Sequence, residues 1–290
     1  MTKPVIGFIG LGLMGGNMAE CLQTNGYDLV VMGRNKEAVA KTVARGAVEV
    51  DTPKKLAEAS DIVMLCVTTS EVVESLIYGD NGILSGIKEG ATVIDFGTSI
   101  PASTRKIGAD LFAKGAGMID APLGRTPAHA KDGLLNIMAA GDMETFEKVK
   151  PELDVLGENV FHLGALGSGH VTKLINNFMG MTTVCTMSQA FAVAERSGVD
   201  RQQLFDIMSA GPSNSPFMAF CRKYAVDGVS DLGFSINNAN KDLGYFLKLA
   251  EDLGAQTEIA QGTSNNLQAA IKAGLGEGNV PEIYDYFLEH

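Results

Sequence analysis

The stretch VIGFIGLGLMG, Val5–Gly15, decides the fold, because a short apolar run leads directly into glycines spaced G-x-G-x-x-G. A helical pattern follows, Met14–Asn25, and Gly26 marks its end. The first glycine permits a tight turn, the second lets a phosphate approach the backbone, and the third lets the helix pack closely on the strand. This context favours a dinucleotide cradle over a plain glycine-rich turn, with the cradle formed by Gly10, Leu11, Gly12, Leu13, Met14 and Gly15.

Strand and helix patterns alternate through the first half of the chain. After Val5–Ile9 the predicted strands are Leu29–Met32, Asp61–Val67, Thr92–Phe96, Gly117–Ala121, Leu134–Ala140 and Asn159–His162, and the predicted helices are Lys36–Arg45, Ala102–Lys114 and Asp142–Leu156. Asp61–Val67 and Thr92–Phe96 are continuous apolar runs, which is typical of strands buried on both faces. We therefore predict an α/β domain over residues 1–164 with a doubly wound, Rossmann-type parallel sheet.

The pattern becomes purely helical in the second half. A helix predicted over His170–Arg196 would span roughly 40 Å, long enough to join two domains. Three further helices are predicted, at Arg201–Ala210, Ile236–Leu253 and Glu258–Ala273. These features predict an all-α domain over residues 165–290, with the boundary near Gly164–Gly169. Because apolar side chains recur along the long helix, we also expect a homodimer or homotetramer.

Charge and cysteine usage exclude several classes of protein. The chain has 290 residues and a formal net charge of −11, which disfavours nucleic-acid and anionic-membrane partners. The first apolar run is too short for a signal peptide or a membrane span. The four cysteines lie far apart without metal-ligand spacing, so we expect reduced thiols, no metal and a cytoplasmic location.

The residues after the second strand bear on the choice of cofactor. A carboxylate at this position would bind the ribose 2′-hydroxyl of NAD, but the chain has Gly33-Arg34-Asn35-Lys36 instead. Arg34 is suited to a 2′-phosphate, and Lys36 can assist it, with Asn35 between them. We therefore predict a preference for NADP, with NAD possible as a second cofactor. The alternative is that both cations are solvated residues at the start of a helix.

Lys173 and Asn177 stand four residues apart at the start of the long helix and so share one helix face. Their apolar neighbours, Leu174-Ile175 and Phe178-Met179, make this polar pair conspicuous. Reduction of a carbonyl group leaves an alkoxide that needs a proton. A partly desolvated lysine, whose pKa burial lowers, can supply that proton as a general acid or remove it as a base.

Four motifs in order resemble the signatures of the β-hydroxyacid dehydrogenases, from Lys3 to beyond Leu243. They are Gly10–Gly15, Asp120-Ala121-Pro122, Gly167–Asn177 and Asn240-Lys241-Asp242-Leu243. The resemblance implies that Lys173 is the catalytic lysine and Asn177 the substrate-orienting asparagine. It further implies that Thr98 lies near the nicotinamide and that Lys241 contacts cofactor and substrate.

Two segments depart from the family pattern. Val67-Thr68-Thr69 replaces the frequent Leu-Pro-Asn at the adenosine, and Leu123-Gly124-Arg125-Thr126 replaces the small residues that bind a substrate carboxylate. Gly124, Arg125 and Thr126 resemble the loop of the sulfolactaldehyde reductases, in which an arginine fork suits a sulfonate or a carboxylate. That subfamily favours NADH and an acidic residue after the second strand, so the two signals conflict. The alternative for Arg125 is a salt bridge to a neighbouring acid.

The leading hypothesis is an NAD(P)-dependent oxidoreductase that interconverts a small anionic aldehyde, with sulfolactaldehyde as one candidate, and its hydroxy acid. One alternative is a succinic or tartronate semialdehyde reductase, or a 3-hydroxyisobutyrate-type dehydrogenase. A third hypothesis is a nucleotide-binding scaffold without catalysis, which the presence of Lys173 disfavours.

Overall fold

The computed structural model describes residues 3–290, which form two compact units divided between Lys173 and Leu174. The predicted boundary near Gly164–Gly169 lies earlier in the chain. The difference arises because the first turn of the long helix, Ser168–Arg196, contacts the strands of the first unit, as described below.

The first unit contains nine strands and eight helices within its described residues, together with the start of the long helix. Its strands are β1 (Ile6–Ile9), β2 (Leu29–Met32), β3 (Val48–Glu49), β4 (Ile62–Leu65), β5 (Thr92–Asp95), β6 (Gly117–Asp120), β7 (Leu123–Gly124), β8 (Leu135–Ala139) and β9 (Gly157–His162). Its helices are α1 (Leu13–Thr24), α2 (Lys36–Val43), α3 (Pro53–Ala59), α4 (Ser70–Tyr78), α5 (Ile83–Gly86), α6 (Pro101–Phe112), α7 (Pro127–Lys131) and α8 (Met143–Leu156), and α9 is Ser168–Arg196. The sequence reading missed β3, β7, α3, α4, α5 and α7.

Six parallel strands form the main sheet in the order β3-β2-β1-β4-β5-β6. Adjacent residues of β1 enter different cores, Phe8 on one face and Ile9 on the other, so both faces are buried. This explains the continuous apolar runs and confirms the predicted doubly wound fold. The strand order reverses between β1 and β4, and ligands of such sheets bind beside that point, outside the carboxyl ends of the strands.

The last predicted strands do not continue the parallel sheet. Instead, β7, β8 and β9 form a separate three-stranded sheet, in which β7 and β8 are antiparallel and β8 and β9 are parallel. The burial of β8 alternates along the strand, with Leu135, Ile137 and Ala139 buried and the residues between them partly exposed. A strand covered on one face suits a small sheet at the edge of the domain, which the apolar character of this segment alone did not indicate.

The second unit is helical, as predicted, within the residues described. After α9 its helices are α10 (Arg201–Ser209), α11 (Pro216–Asp227), α12 (Ile236–Asp252), α13 (Glu258–Lys272), a 3₁₀ turn (Val280–Glu282) and α14 (Ile283–Glu289). The sequence reading missed α11 and the two C-terminal elements. Yet α11 has clear end signals, because Ser215 caps the N–H of Met218, Pro216 is the first helical residue and Gly228 ends the helix at φ 68°.

Two further findings concern partners and metals. None of the helices within residues 3–290 combines the length and the apolar character that crossing a bilayer requires. Nor does that part of the chain bring together three His, Cys, Asp or Glu side chains in a metal-binding group.

The environment of the cysteines leads to a first prediction. Burial raises the pKa of the Cys66, Cys185 and Cys221 thiols to about 12. Because only the thiolate reacts, each should hold on the order of a thousandfold less of the reactive form than an ordinary cysteine. We expect Ellman's reagent to modify these thiols slowly in the native protein and rapidly after unfolding in guanidinium chloride. Equal rates in the two states would contradict the burial of Cys185 and Cys221.

Candidate active site

The glycine motif after β1 has the backbone geometry that the sequence implied. A Cβ atom on Gly10, whose φ is 102°, would lie 2.2 Å from the carbonyl oxygen of Cys66, which directly follows β4. A Cβ on Gly15 would lie 1.9 Å from the carbonyl oxygen of Gly10. By contrast, no atom lies within 4 Å of a Cβ built on Gly12. Two glycines therefore permit close backbone packing, and the third leaves open space beside the turn.

Helix α1 presents its amino end to that open space. Gly12, at the N-cap, provides no side-chain hydrogen bond to the first turn, and no acidic residue lies there. Gly12 and Leu13 are exposed. The unsatisfied N–H groups and the positive end of the helix dipole suit a pyrophosphate, so this segment fits the dinucleotide that the motif implies.

The three polar residues after β2 have different local roles. The Asn35 side chain accepts hydrogen bonds from the N–H groups of Glu37 and Ala38 and thereby caps α2. Lys36 pairs with Glu49 at 2.8 Å. Arg34 is exposed and makes no hydrogen bond or ion pair with the described residues. Of the three, Arg34 is therefore the side chain available for a 2′-phosphate.

The loops that follow β4 and β5 carry the other predicted cofactor residues, Val67, Thr68 and Thr98. They lie at the same edge of the sheet as the glycine turn, because β1, β4 and β5 are parallel neighbours. The hydroxyl of Ser70 accepts a hydrogen bond of 2.6 Å from the N–H of Ile100, which joins the two loops. The predicted cofactor residues of β1, β4 and β5 thus share the carboxyl edge where ligands of this fold bind.

Lys173 lies at the start of α9 and contacts the segment after β6. Its Nζ donates a hydrogen bond of 2.7 Å to the carbonyl oxygen of Leu123. Leu123 is the first residue of the segment that continues through Gly124 and Arg125 to Thr126. The structure therefore brings the predicted general acid to the predicted acid-binding loop.

Arg125 has an unusual backbone and an occupied side chain. Its φ is 76°, and it is the one residue other than glycine with a positive φ among residues 3–290. Its Nη1 donates to the carbonyl oxygen of Leu134 at 2.6 Å and pairs with Glu158 at 2.5 Å. The salt bridge to a neighbouring acid, the alternative considered for Arg125, is thus present in this structure. Thr126 shares a hydrogen bond of 2.7 Å with His129.

In the second unit, Asn177 and Asp242 form a buried pair. The Nδ2 of Asn177 donates to Oδ2 of Asp242 at 2.7 Å, and Lys241 Nζ lies 2.9 Å from Oδ1 of the same carboxylate. Asp242 consequently fixes the orientation of the Asn177 amide. The roles of Asn177 and Lys241 toward a substrate or cofactor stay predictions.

Sequence reasoning missed a buried polar cluster around His170, three residues before Lys173. Asp95 and Asp120 end adjacent strands in register, and both are fully buried together with His170. Burial raises the pKa of the Asp120 carboxyl above its ordinary value, although His170 and two backbone N–H groups lower it. The signal in the sequence was two buried strands that each end in an aspartate, since parallel neighbours place such ends side by side.

Two family models match the chain. The NAD binding domain of 6-phosphogluconate dehydrogenase matches residues 5–164, and the NAD-binding domain of NADP-dependent 3-hydroxyisobutyrate dehydrogenase matches residues 167–287. Together they cover nearly the whole chain.

Similar proteins come from several bacteria. The 3-sulfolactaldehyde reductase of Escherichia coli is 32% identical over 272 residues, which are 93% of this chain and 91% of that protein. The 2-hydroxy-3-oxopropionate reductase of the same organism is 31% identical over 248 residues, 86% of this chain and 85% of that protein. The structure of 3-hydroxyisobutyrate dehydrogenase from Mycobacterium tuberculosis has the same fold, with a TM-score of 0.89 over 98% of this chain and 99% of that chain at 24% identity.

A doubly wound sheet, a glycine cradle at its first crossover and two matching NAD-binding models define an NAD(P)-dependent oxidoreductase. The fold and the cradle alone would fit many dinucleotide-binding proteins. The family models and the relatives narrow the assignment: the chain belongs to the β-hydroxyacid dehydrogenase family. The resemblance inferred from the four sequence motifs is confirmed.

Proposed function

We propose that this oxidoreductase reduces a short aldehyde bearing an acid group, prefers NADP, and uses Lys173 as the proton donor. The hydrogen bond from Lys173 to the carbonyl oxygen of Leu123 carries the proposal. It holds the amine beside a loop in which Arg125 and the backbone N–H groups can receive an anion. Asn177 and Lys241 keep the substrate-binding roles that the family resemblance implies.

The proposed chemistry is carbonyl reduction with a lysine general acid. When bound, the nicotinamide supplies the two electrons and the hydrogen that reduce the carbonyl carbon. The carbonyl oxygen gains negative charge and takes a proton from the Lys173 ammonium, and the resulting neutral amine regains a proton from solvent. In the oxidative direction the neutral amine removes the proton of the hydroxyl group. The carbonyl of Leu123 orients the amine throughout.

The acid group of the substrate distinguishes two candidate reactions. In the first, Arg125 exchanges Glu158 for the sulfonate or carboxylate of the substrate, as its likeness to the sulfolactaldehyde reductases suggests. The exchange requires little free energy, since ion pairs this exposed contribute about 0–1 kcal/mol. In the second, Arg125 keeps its bond to Glu158 and only backbone N–H groups hold a carboxylate. The ion pair present in the structure favours this second candidate, a carboxylate semialdehyde reductase.

A first test replaces the proposed proton donor. We expect Lys173→Ala to lower kcat on the order of 100-fold or more, because the alkoxide loses its proton source, while NADPH still binds. Steady-state kinetics and NADPH fluorescence titration measure the two effects. Lys150→Ala, at an exposed lysine of the same unit, is the matched control. Undiminished turnover by Lys173→Ala would remove this residue from the mechanism.

A second test concerns the cofactor. We expect a higher kcat/KM with NADPH than with NADH, and Arg34→Ala should lower the NADPH value about tenfold while leaving the NADH value unchanged. The control is Lys41→Ala, which removes an exposed cation of α2 that pairs with Glu37. A preference of the unaltered protein for NADH would contradict the assignment.

A third test uses the backbone geometry of Arg125. Arg125→Gly removes the guanidinium and suits the positive φ, so the loop itself should not be strained. If Arg125 binds the acid group, KM for a sulfonate aldehyde should rise about tenfold or more. A neutral aldehyde of equal length, measured in parallel, should show no change. An unaltered KM for both sulfonate and carboxylate aldehydes would show that Arg125 does not bind the acid group. It would support the second candidate, in which only backbone N–H groups hold a carboxylate.

A further inference from the structure

The buried cluster around His170 joins four elements of the first unit. It consists of Asp95, Asp120, Thr104 and His170, and each of the four is nearly or fully inaccessible to solvent. They come from the ends of β5 and β6, from α6 and from the first turn of α9. Nothing in the proposed chemistry uses these side chains directly, so their burial calls for another explanation.

Asp95 orders the loop that bears Thr98. Its Oδ1 accepts a hydrogen bond from the N–H of Gly97 at 2.8 Å, and its Oδ2 accepts one from the Ser99 hydroxyl at 2.7 Å. Both residues adjoining Thr98 are therefore tied to one carboxylate. Thr98 is the residue predicted to lie near the nicotinamide, so Asp95 sets the position of that loop.

Asp120 orders the start of the helix that bears Lys173. Its Oδ1 accepts the N–H of Gly167, and its Oδ2 accepts the N–H of His170, each at 2.7 Å. These bonds satisfy two N–H groups that a helix start leaves without partners. A Cβ on Gly169 would lie 2.2 Å from the carbonyl oxygen of Met138 and 2.8 Å from Asp120, so the turn is docked as closely as the backbone allows.

His170 lies between the two carboxylates. Its Nε2 is 3.6 Å from Asp95, its Nδ1 is 3.8 Å from Asp120, and Nδ1 also shares a hydrogen bond of 2.9 Å with the Thr104 hydroxyl. Two carboxylates on adjacent strand ends repel each other in an apolar interior, where charge interactions are only weakly screened. Both distances to the carboxylates exceed a hydrogen bond, and Nε2 has no hydrogen-bond partner among the described residues. The imidazole therefore places polar ring atoms beside both carboxylates and occupies the space between them.

This proposal rests on the proposed role of Lys173. We propose that His170 is a positioning residue, which fixes the loop that bears Thr98 relative to the start of α9, which bears Lys173. The imidazole fills the space between Asp95, which orders the Thr98 loop, and Asp120, which orders the start of α9. Lys173 lies three residues beyond His170 on α9. A shift of the start of α9 would therefore move the Lys173 amine away from the carbonyl oxygen of Leu123. His170 does not touch the reacting atoms and acts only through this placement.

The experiment compares two substitutions at His170. His170→Leu removes the polar link and should lower kcat on the order of 10- to 100-fold, the effect of small misplacements of a catalytic group. The Kd for NADPH should change far less than kcat, by about twofold at most, because the predicted pyrophosphate and 2′-phosphate contacts involve the glycine turn and Arg34, while the Thr98 loop is predicted to lie near the nicotinamide alone. His170→Gln, which retains a hydrogen-bonding group for Thr104, should restore part of kcat. Hydrogen–deuterium exchange should be faster at residues 167–173 in the leucine variant without cofactor.

A control and a second variant separate positioning from general stability. Glu152→Gln alters a buried carboxylate of the same unit that bonds Tyr27 at 3.3 Å, away from the proposed site, and should leave kcat unchanged. If His170→Leu does not fold, Thr104→Val, which removes only the hydroxyl partner of Nδ1, should give the same fall in kcat with unchanged NADPH binding.

The outcomes distinguish this inference from the proposed function. If Lys173→Ala abolishes turnover but His170→Leu keeps kcat within about twofold, the positioning role is overturned and the proposed function stands. Equal weakening of kcat and NADPH binding, without rescue by glutamine, would also overturn it, because that pattern indicates general loss of structure. If Lys173→Ala keeps its turnover, the proposed function fails, and faster exchange at residues 167–173 in His170→Leu would still support the placement of the turn.

Discussion

Two hydrogen bonds from the start of a helix to one buried carboxylate govern the arrangement of the first unit at its carboxyl edge. Asp120, at the end of β6, accepts the N–H groups of Gly167 and His170. A buried carboxylate is costly unless it is hydrogen-bonded, and a buried helix start is costly unless its N–H groups are satisfied. The carboxylate of Asp120 and the N–H groups of the helix start therefore supply each other's hydrogen-bond partners. Lys173 lies three residues beyond His170 on the same helix, and its amine donates a hydrogen bond to the carbonyl oxygen of Leu123.

The proposed function also requires this edge to bind anions in a protein of net charge −11. Local features supply the positive potential that the chain as a whole lacks. The start of α1 offers backbone N–H groups without an acidic side chain, and Arg34 stands exposed after β2. Arg125 is a third source of positive charge, but Glu158 forms an ion pair with it. The proposed recognition of phosphate and of the substrate's acid group therefore relies on a few oriented groups rather than on the overall field.

Close approach of backbones explains why glycine recurs where the site is built. Gly10 lies against the backbone at the end of β4, and Gly15 lies against the backbone of Gly10. At Gly169 the start of α9 contacts β6 and β8. Any larger side chain would push these elements apart. Arg125 is the exception, because it adopts a positive φ without being glycine. Strain of this kind is commonly retained at functional sites, where surrounding contacts support it.

Local pattern in the sequence determined the doubly wound sheet, the cradle at Gly10–Gly15, the helical second half and the family, because periodicity and short motifs depend on neighbouring residues. Some segments carried signals that this pattern did not resolve, among them the short helix α7 and the strands that left the main sheet. Only the tertiary structure revealed that Asp95 and Asp120 meet around His170 and that Arg125 faces Glu158. These pairings join residues 33 to 75 positions apart along the chain, and the distances between such residues depend on how strands and helices pack rather than on their order in sequence.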